Sequence, residues 1–256
     1  MGQRLTAARR ADVCAVALAE LFRGDGEILA NPIGNLPMIG GRLARETFEP
    51  DLVMTDGEAL FVQNAMPVGV DAPHKVIEAW NPYRAMFDVV WSGRRHIVMG
   101  PVQIDRHGNA NIAWVGGAQQ RPGRQFLGFR GGPGNTISHA TSYWVPNHSP
   151  RVFVERVDVV VGVGYDRAAE LGASGRDHRI PAVVTNLGVL DFENDDRVMQ
   201  LRSVHPGVTV DDVVAATGFR IVIPGDVTDT RMPTDEELAI IEAVDPTGLR
   251  YREVPD

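Results

Sequence analysis

The sequence predicts an α/β fold with a mostly parallel sheet flanked by helices. Two observations carry that expectation. Helix-period segments and short apolar runs alternate along the N-terminal part of the chain. The apolar runs are near-continuous, as in strands covered on both faces, rather than alternating apolar and polar.

In chain order, the first element is a helix from Thr6 to Phe22, where Val13, Val16, Ala17 and Leu21 recur at helical spacing. Asp25-Gly26 breaks it. Glu27 to Ala30 reads as a short strand ending at Asn31-Pro32. Pro37 to Phe48 resumes helical spacing through Met38, Ile39, Leu43 and Thr47, and Leu52 to Met54 is the next buried strand. His96 to Met99, Val152 to Val154, Val157 to Val163 and Ala182 to Val184 are further runs of strand length. Thr209-Val210-Asp211-Asp212 opens one helix. Thr234-Asp235-Glu236-Glu237 opens another, in a capping-box pattern where hydroxyl and carboxylate satisfy free backbone N–H groups. His205-Pro206-Gly207 and Ile223-Pro224-Gly225 are turns. No repeat or low-complexity linker divides the chain. A single domain over 1–256 is expected, with a small C-terminal helical appendage from about Thr209.

Composition bounds the function. The 256 residues are 44% hydrophobic and 23% charged, as in a soluble globular protein. A net charge of −8 argues against binding nucleic acid by phosphate neutralisation. A small anionic ligand is still allowed where arginines cluster. Cys14 is the single cysteine and lies in an apolar-patterned segment, so it reads as a buried core thiol, and a reducing cytoplasm fits. Behind the basic stretch MGQRLTAARRADV, Glu20, Arg23 and Asp25 interrupt the apolar residues. Neither a signal peptide nor a membrane span is expected.

Three loops are candidate sites. Gly128-Phe129-Arg130-Gly131-Gly132-Pro133-Gly134-Asn135 holds four glycines in seven residues. Such a loop lets backbone N–H groups approach a carbonyl oxygen or phosphate, and it reads equally as a tight turn that needs positive φ. It matches neither a dinucleotide fingerprint nor a Walker loop. Arg121, Arg124 and Arg130 lead into it, and Arg94-Arg95 form a second pair; arginine suits phosphate and carboxylate, or a solvated surface. Asn31-Pro32-Ile33-Gly34-Asn35 follows a strand and precedes a helix, the edge where open α/β sheets bind ligands. Thr55-Asp56-Gly57-Glu58 ends the next strand at the same edge, although an Asp-Gly turn explains it as well. The seven histidines show no metal-ligand spacing, so no metal is expected, and no nucleophile elbow is present. Trp80, Tyr83, Trp91, Tyr143 and Trp144 read as core or interface.

The order of these motifs resembles the β subunit of class I CoA-transferases, the glutaconate CoA-transferase branch in particular. The likeness covers most of the chain: DGEI, NPIGN, FEPDL, TDGEA, GGPGN, RVFVERVDVVVGVGY, VVTNLGVLDF and HPGVTVDDV. SHATSYWVPNH and GRRHIVMGPVQIDRHGNANI are most similar to the branch of steroid (cholesterol) ring-cleaving hydrolases. The resemblance implies the NagB/RpiA/CoA-transferase-like fold and an α2β2 heterotetramer with active sites at α–β contacts. It further implies an acyl-CoA substrate, with CoA as part of the substrate and no separate cofactor.

The chain departs from the family at one position that matters. Transferases of this family carry a catalytic glutamate in an E-S-G or E-N-G triplet at this strand end, and it forms covalent acyl and CoA intermediates. Aligning the glycine with Gly57 puts Thr55 in the place of that glutamate, and Glu58 falls beyond the glycine. The departure implies a hydrolase (a C–C bond lyase in its bond-breaking step) that opens a ring of a CoA thioester in retro-Claisen fashion. The key glutamate then comes from the α subunit. On that reading Arg130 meets a substrate carboxylate or oxyanion, and Asp56 and Glu58 position water or a partner residue. Asn31, Asn35, Thr55, Gly131, Gly132, Gly134 and Asn135 form the substrate- and CoA-binding surface. Two alternatives stand beside it: a genuine CoA-transferase using Glu58 in a shifted register, and a non-catalytic scaffold subunit.

Overall fold

The computed structural model describes residues 8–71 and 74–255. The first helix, α1 (Arg10–Glu20), is buried from Ala11 to Ala19, which suits its run of small and aliphatic residues; the Thr6 end of the expected helix lies outside the described residues. Strand β1 (Leu29–Pro32) and helix α2 (Asn35–Thr47) follow. Gly40 lets α1 and α2 approach closely, since a Cβ there would lie 2.6 Å from the Leu18 Cβ. A hairpin, β2 (Leu60–Val62) with β3 (Ile77–Trp80), and the short helix α3 (Ala85–Trp91) form an exposed excursion. The chain returns to the core as β4 (Arg95–Met99), buried at every position. Two small hairpins follow, β5 (Gln103–Ile104) with β6 (Ala110–Asn111) and β7 (Trp114–Ala118) with β8 (Arg121–Gln125). Helix α4 (Gly132–Ser138) leads into the fully buried β9 (Ala140–Val145). Then come α5 (Tyr165–Glu170), β10 (Val183–Thr185), β11 (Gly188–Asp191), β12 (Gln200–Val204), α6 (Val210–Ala216), β13 (Thr228–Asp229), α7 (Asp235–Val244) and α8 (Leu249–Glu253).

The main sheet has seven strands in the order β1-β4-β9-β10-β11-β12-β13. Strands β1, β4, β9 and β10 run parallel to one another; β11 is antiparallel to both of its neighbours, β10 and β12. Alternate side chains of the parallel strands feed two separate cores. Val98, Trp144 and Val184 join α1 and α2 on one face. Ile97, Met99, Tyr143, Val145 and Val183 pack on the other, with Phe153, Leu190 and Leu201. That two-sided burial is why these strands read as continuous apolar runs. Cys14 is buried, its thiol facing the Thr185 carbonyl at 3.7 Å, and burial pushes its pKa up. No helix among the described residues is long and apolar enough to cross a membrane.

Three expected strands are not strands. Leu52 to Met54 makes a single parallel bridge, Val53 to Leu29, with the Ala30 N–H donating to Val53 O at 2.9 Å. Val152 to Val154 and Val157 to Val163 each make one bridge, Phe153 to Ile104 and Gly162 to Ala110. Phe153 is buried in the core, whereas only Val157, Val161 and Gly162 of the later run are buried; the two segments bridge only the two-residue strands β5 and β6, so no ladder propagates. The segment from Thr209 onward, expected as an appendage, supplies Ile241, Val244 and Val254 to the α1 core. Its helices α6 and α7 start at Thr209 and Thr234, both with reciprocal capping boxes.

An ion cluster ties α8 to α1. Arg250 is fully buried. Its Nε donates to Asp12 at 2.7 Å and its Nη1 to Asp245 at 3.0 Å, while Nη2 reaches Glu242 and the Tyr251 hydroxyl. Removing one partner strands the others as buried charges, which costs about 3–5 kcal/mol. Arg250→Met should therefore lower the melting temperature by roughly 10 °C, at a few degrees per kcal/mol for a chain of this size. An unchanged melting temperature would contradict a structural role for the cluster.

Candidate active site

The C-terminal ends of β1, β4 and β9 open onto a cleft of about 1220 Å³. Ile33 and Gly34 follow β1, Met99 ends β4 and precedes Gly100, and Trp144 lies near the end of β9. The opposite wall is the excursion: Ala59, Asn81, Tyr83 and three α3 residues, Met86, Phe87 and Val90. Arg130, Gly131, Gly132 and Asn135 close the third side. A smaller pocket of about 160 Å³ is lined by Asn31, Gly34, Met38, Thr55 and Gly57. Gly34 and Gly57 line both cavities.

The expected site residues divide accordingly. Glu58, Arg130, Gly131, Gly132 and Asn135 line the large cleft; Asn31 and Thr55 line the small pocket. Asn35 is the exposed first residue of α2 and lines neither cavity. Gly134 lies within α4, where a Cβ would come 3.9 Å from Val90 Cγ1. Asp56 folds the turn rather than lining it. Its Oδ1 accepts the backbone N–H groups of Glu58 and Leu60, at 3.0 and 3.2 Å, and its Oδ2 accepts Lys75 Nζ at 2.7 Å. Burial works to raise its pKa, but Lys75 and the two amides outweigh it and hold the carboxyl below the usual range. Gly57 takes φ of 95°, which a side chain would strain.

The glycine-rich segment is the start of a helix rather than an open loop. Gly131 is the N-cap of α4, and Pro133 sits in its first turn, where its fixed φ is favourable. Gly132 is glycine because a Cβ there would meet Val161 Cγ1 at 2.6 Å. Positive φ falls instead on Gly128 and on Arg130, at 45° for the latter, an uncommon conformation for a side-chain-bearing residue.

The two arginine pairs separate. Arg121 and Arg124 lie on the exposed strand β8, where Arg124 stacks on Phe126, outside the cleft. Arg94 is exposed and reaches Glu27 at 3.7 Å. Arg95, by contrast, is only 7% exposed and lines the cleft. Its Nη1 donates to Asn135 Oδ1 at 2.9 Å, and its Nη2 donates to Asn31 Oδ1. Asn31 and Asn135 are thus joined through a residue that the sequence offered only as half of a basic pair. Its one local signal is an arginine opening the otherwise apolar run HIVM. His139 faces Arg95 Nη1 with its Nε2 at 3.5 Å and places Nδ1 3.0 Å from Ala140 O. Burial brings its pKa down to about 4, and the Arg95 charge pushes the same way, so the ring is neutral and presents an acceptor to Arg95. Glu253 also lines the cleft; its carboxylate accepts from the Trp144 indole N–H at 2.5 Å and from the Leu36 N–H at 3.4 Å, which fixes α8 to the start of α2.

Comparison with known proteins places these features in a family. Residues 87–216 match the coenzyme A transferase family. The chain is similar to the cholesterol ring-cleaving hydrolase IpdB subunit of Rhodococcus jostii, with 52% identity over 255 residues covering 99% of both chains. It is similar at 51% identity to the protein of the same name from Mycobacterium tuberculosis, over 96% of this chain and 98% of that one. The crystal structure of Rhodococcus jostii IpdAB contains a chain that superposes with a TM-score of 0.92 at 52% identity, covering 98% of this chain and 100% of that chain.

The buried histidines set a pH dependence. Burial brings His139 and His205 down to about 4 and His148 to about 3. Their unfolded value is about 6.5. Each folded pKa is depressed, so the unfolded chain binds more protons below that value. Stability is then lost as pH falls from about 6.5 toward 4, by up to about 1.4 kcal/mol per pH unit for each group. The melting temperature should fall steadily from pH 7 to pH 5, and His148→Gln should flatten the slope. A melting temperature flat across that range would contradict neutral burial of these rings.

Proposed function

The chain belongs to the coenzyme A transferase family, and from that premise we propose that it is the β subunit of a heteromeric hydrolase opening a ring of a CoA thioester in steroid ring catabolism. The observation that carries the hydrolytic half of this reading is Thr55. It lines the small pocket at the position where the family's transferases need a glutamate, and its hydroxyl cannot form an acyl anhydride. The neighbouring Asp56 is engaged by Lys75 and two backbone amides.

The reaction balances without a cofactor. A water oxygen adds to a ring carbonyl carbon, and the adjacent ring C–C bond breaks. Its electron pair passes to the neighbouring carbon as an enolate, which takes a proton. The carbonyl carbon leaves as a carboxylate. This chain contributes the apolar walls, Glu58 at the rim, Arg130, and the Gly131–Gly132 and Asn135 side of the cleft. The carboxylate that activates water comes from the α subunit.

Support for a covering partner comes from the excursion. Trp80, Tyr83 and Trp91 are 69%, 88% and 74% exposed, and Leu127 is 71% exposed. A solitary soluble protein rarely leaves so much large apolar surface in water. The α subunit covers it and completes the site, in an α2β2 assembly in the cytoplasm. The transferase alternative keeps one specific support, since Glu58 does line the cleft.

Two outcomes are expected. The isolated chain should self-associate and show no ring-opening activity, which appears on adding the α subunit; full activity from the chain alone would contradict the proposal. In the complex, Thr55→Glu should yield no robust CoA exchange with an added acid. A misplacement of about an ångström costs on the order of a hundredfold, and a nucleophile alone does not align acyl group and acceptor. Rapid exchange in that single variant would show that the rest of a transferase site is intact.

A further inference from the structure

Arg95 is a buried cation with an unfilled side. A guanidinium carries five N–H donors. Nη1 serves Asn135 and His139, Nη2 serves Asn31, and the buried Nε has no partner. All three acceptors are neutral, and among the described residues no carboxylate pairs with it. Nε, the donor left unserved, lies on the edge shared with Nη2 by which a guanidinium grips a carboxylate side-on. Burial pulls its pKa down to about 10, which leaves it charged at neutral pH. Arg42 is also buried with an unserved Nη1, but it lines neither the cleft nor the small pocket beside it. Arg95 combines burial, an unserved donor and a place in the cleft wall, and it also borders a second cavity of about 670 Å³ with His139 and Asp25.

A buried charge is costly unless it is paired. The neighbours of Arg95 hold it in place without neutralising it: Asn31 follows from β1 and Asn135 from α4, 64 and 40 residues away. The cleft around it is otherwise mostly apolar, with Ile97, Met99, Val90 and Ile112 in its lining. We infer that Arg95 is the specificity-determining residue of the cleft, recognising a carboxylate carried on the apolar acyl part of the substrate rather than the phosphates of CoA. Phosphates are multiply charged and strongly hydrated, and they suit the exposed Arg130; a single carboxylate on a hydrocarbon frame suits one buried fork in an apolar wall. The inference rests on the CoA-thioester reading above.

The test uses the assembled α–β complex and calorimetric binding of two probe series of matched chain length. Succinyl-, glutaryl- and adipoyl-CoA carry an acyl carboxylate; butyryl-, valeryl- and hexanoyl-CoA do not. At least one acidic probe should bind roughly ten- to a hundredfold more tightly than its neutral match, the span expected of a charge-assisted contact. Arg95→Met should abolish that preference by weakening binding of the acidic probes roughly ten- to a hundredfold more than binding of the neutral ones. Arg95→Gln, which still offers Asn31 and Asn135 a donor, serves the same comparison if the methionine variant does not assemble. Equal affinity for the two series in the unaltered complex, or a preference that survives both substitutions, would overturn the inference alone. Failure of both variants to assemble would make Arg95 a structural residue and overturn it as well. Failure of every acyl-CoA to bind would overturn the functional reading and the inference with it.

Discussion

Parallel strands buried on both faces leave polar chemistry nowhere to go but their ends. Each of β4, β9 and β10 spends its alternate side chains on two cores, the α1–α2 core on one side and the Phe153–Leu201 core on the other, and β1 adds Ala30 to the first. The turn at Gly34, the crossover after Met99 and the exit past Trp144 therefore emerge together, and the cleft forms where they emerge. The excursion from Leu60 to Trp91 is anchored to the core through Val62 and Val68, and its unburied β3 and α3 leave the α3 residues free to supply the opposite wall. The site is thus a consequence of the sheet, and the small helix α8, pinned by Arg250 to Asp12, closes its inner end through Glu253.

Within that frame the polar groups are sorted by what already holds them. Asp56 is consumed by its turn, and Glu253 by Trp144 and the first turn of α2. Burial keeps His139, His148 and His205 neutral, and they are bonded to hydroxyls or carbonyls, as His205 is to Thr230 and Thr185. What is left to meet a ligand is a rim carboxylate, Glu58, an arginine on a left-handed backbone, Arg130, and the buried fork of Arg95. Such a set is richer in cations than in bases. It suits a subunit that holds and polarises an anionic substrate while a partner supplies the proton-transfer group.

Much of the frame was legible in the sequence, and the failures have physical causes. The helices α1, α2, α6 and α7 announce themselves by spacing and caps, and β4 by the unbroken run HIVM. The six buried residues of β9 were missed because Thr141 and Ser142 interrupt the apolar pattern of ATSYWV; the Ser142 hydroxyl is satisfied inside the sheet by His96 at 2.9 Å. The opposite error, reading 157–163 as a strand, arose because a valine-rich run does not report pairing; only Val157, Val161 and Gly162 there are buried. The candidate loops were legible from their position after strands. Arg95 was not, because its acceptors come from Asn31 and Asn135, and only the folded sheet brings those together.

The account turns on water attacking a ring carbonyl, with CoA left on its acyl group rather than passed to an acceptor acid, at a site that carries Thr55 in place of the transferase glutamate. Turnover of the ring CoA thioester by the assembled complex in oxygen-18 water, with an acceptor acid present, tests this most directly. Mass spectrometry should find the heavy oxygen in the newly formed carboxylate, the thioester intact, and no CoA on the acceptor. Transfer of CoA to the acceptor with a hydroxylamine-sensitive adduct on Glu58 would contradict the account and return this chain to the transferases.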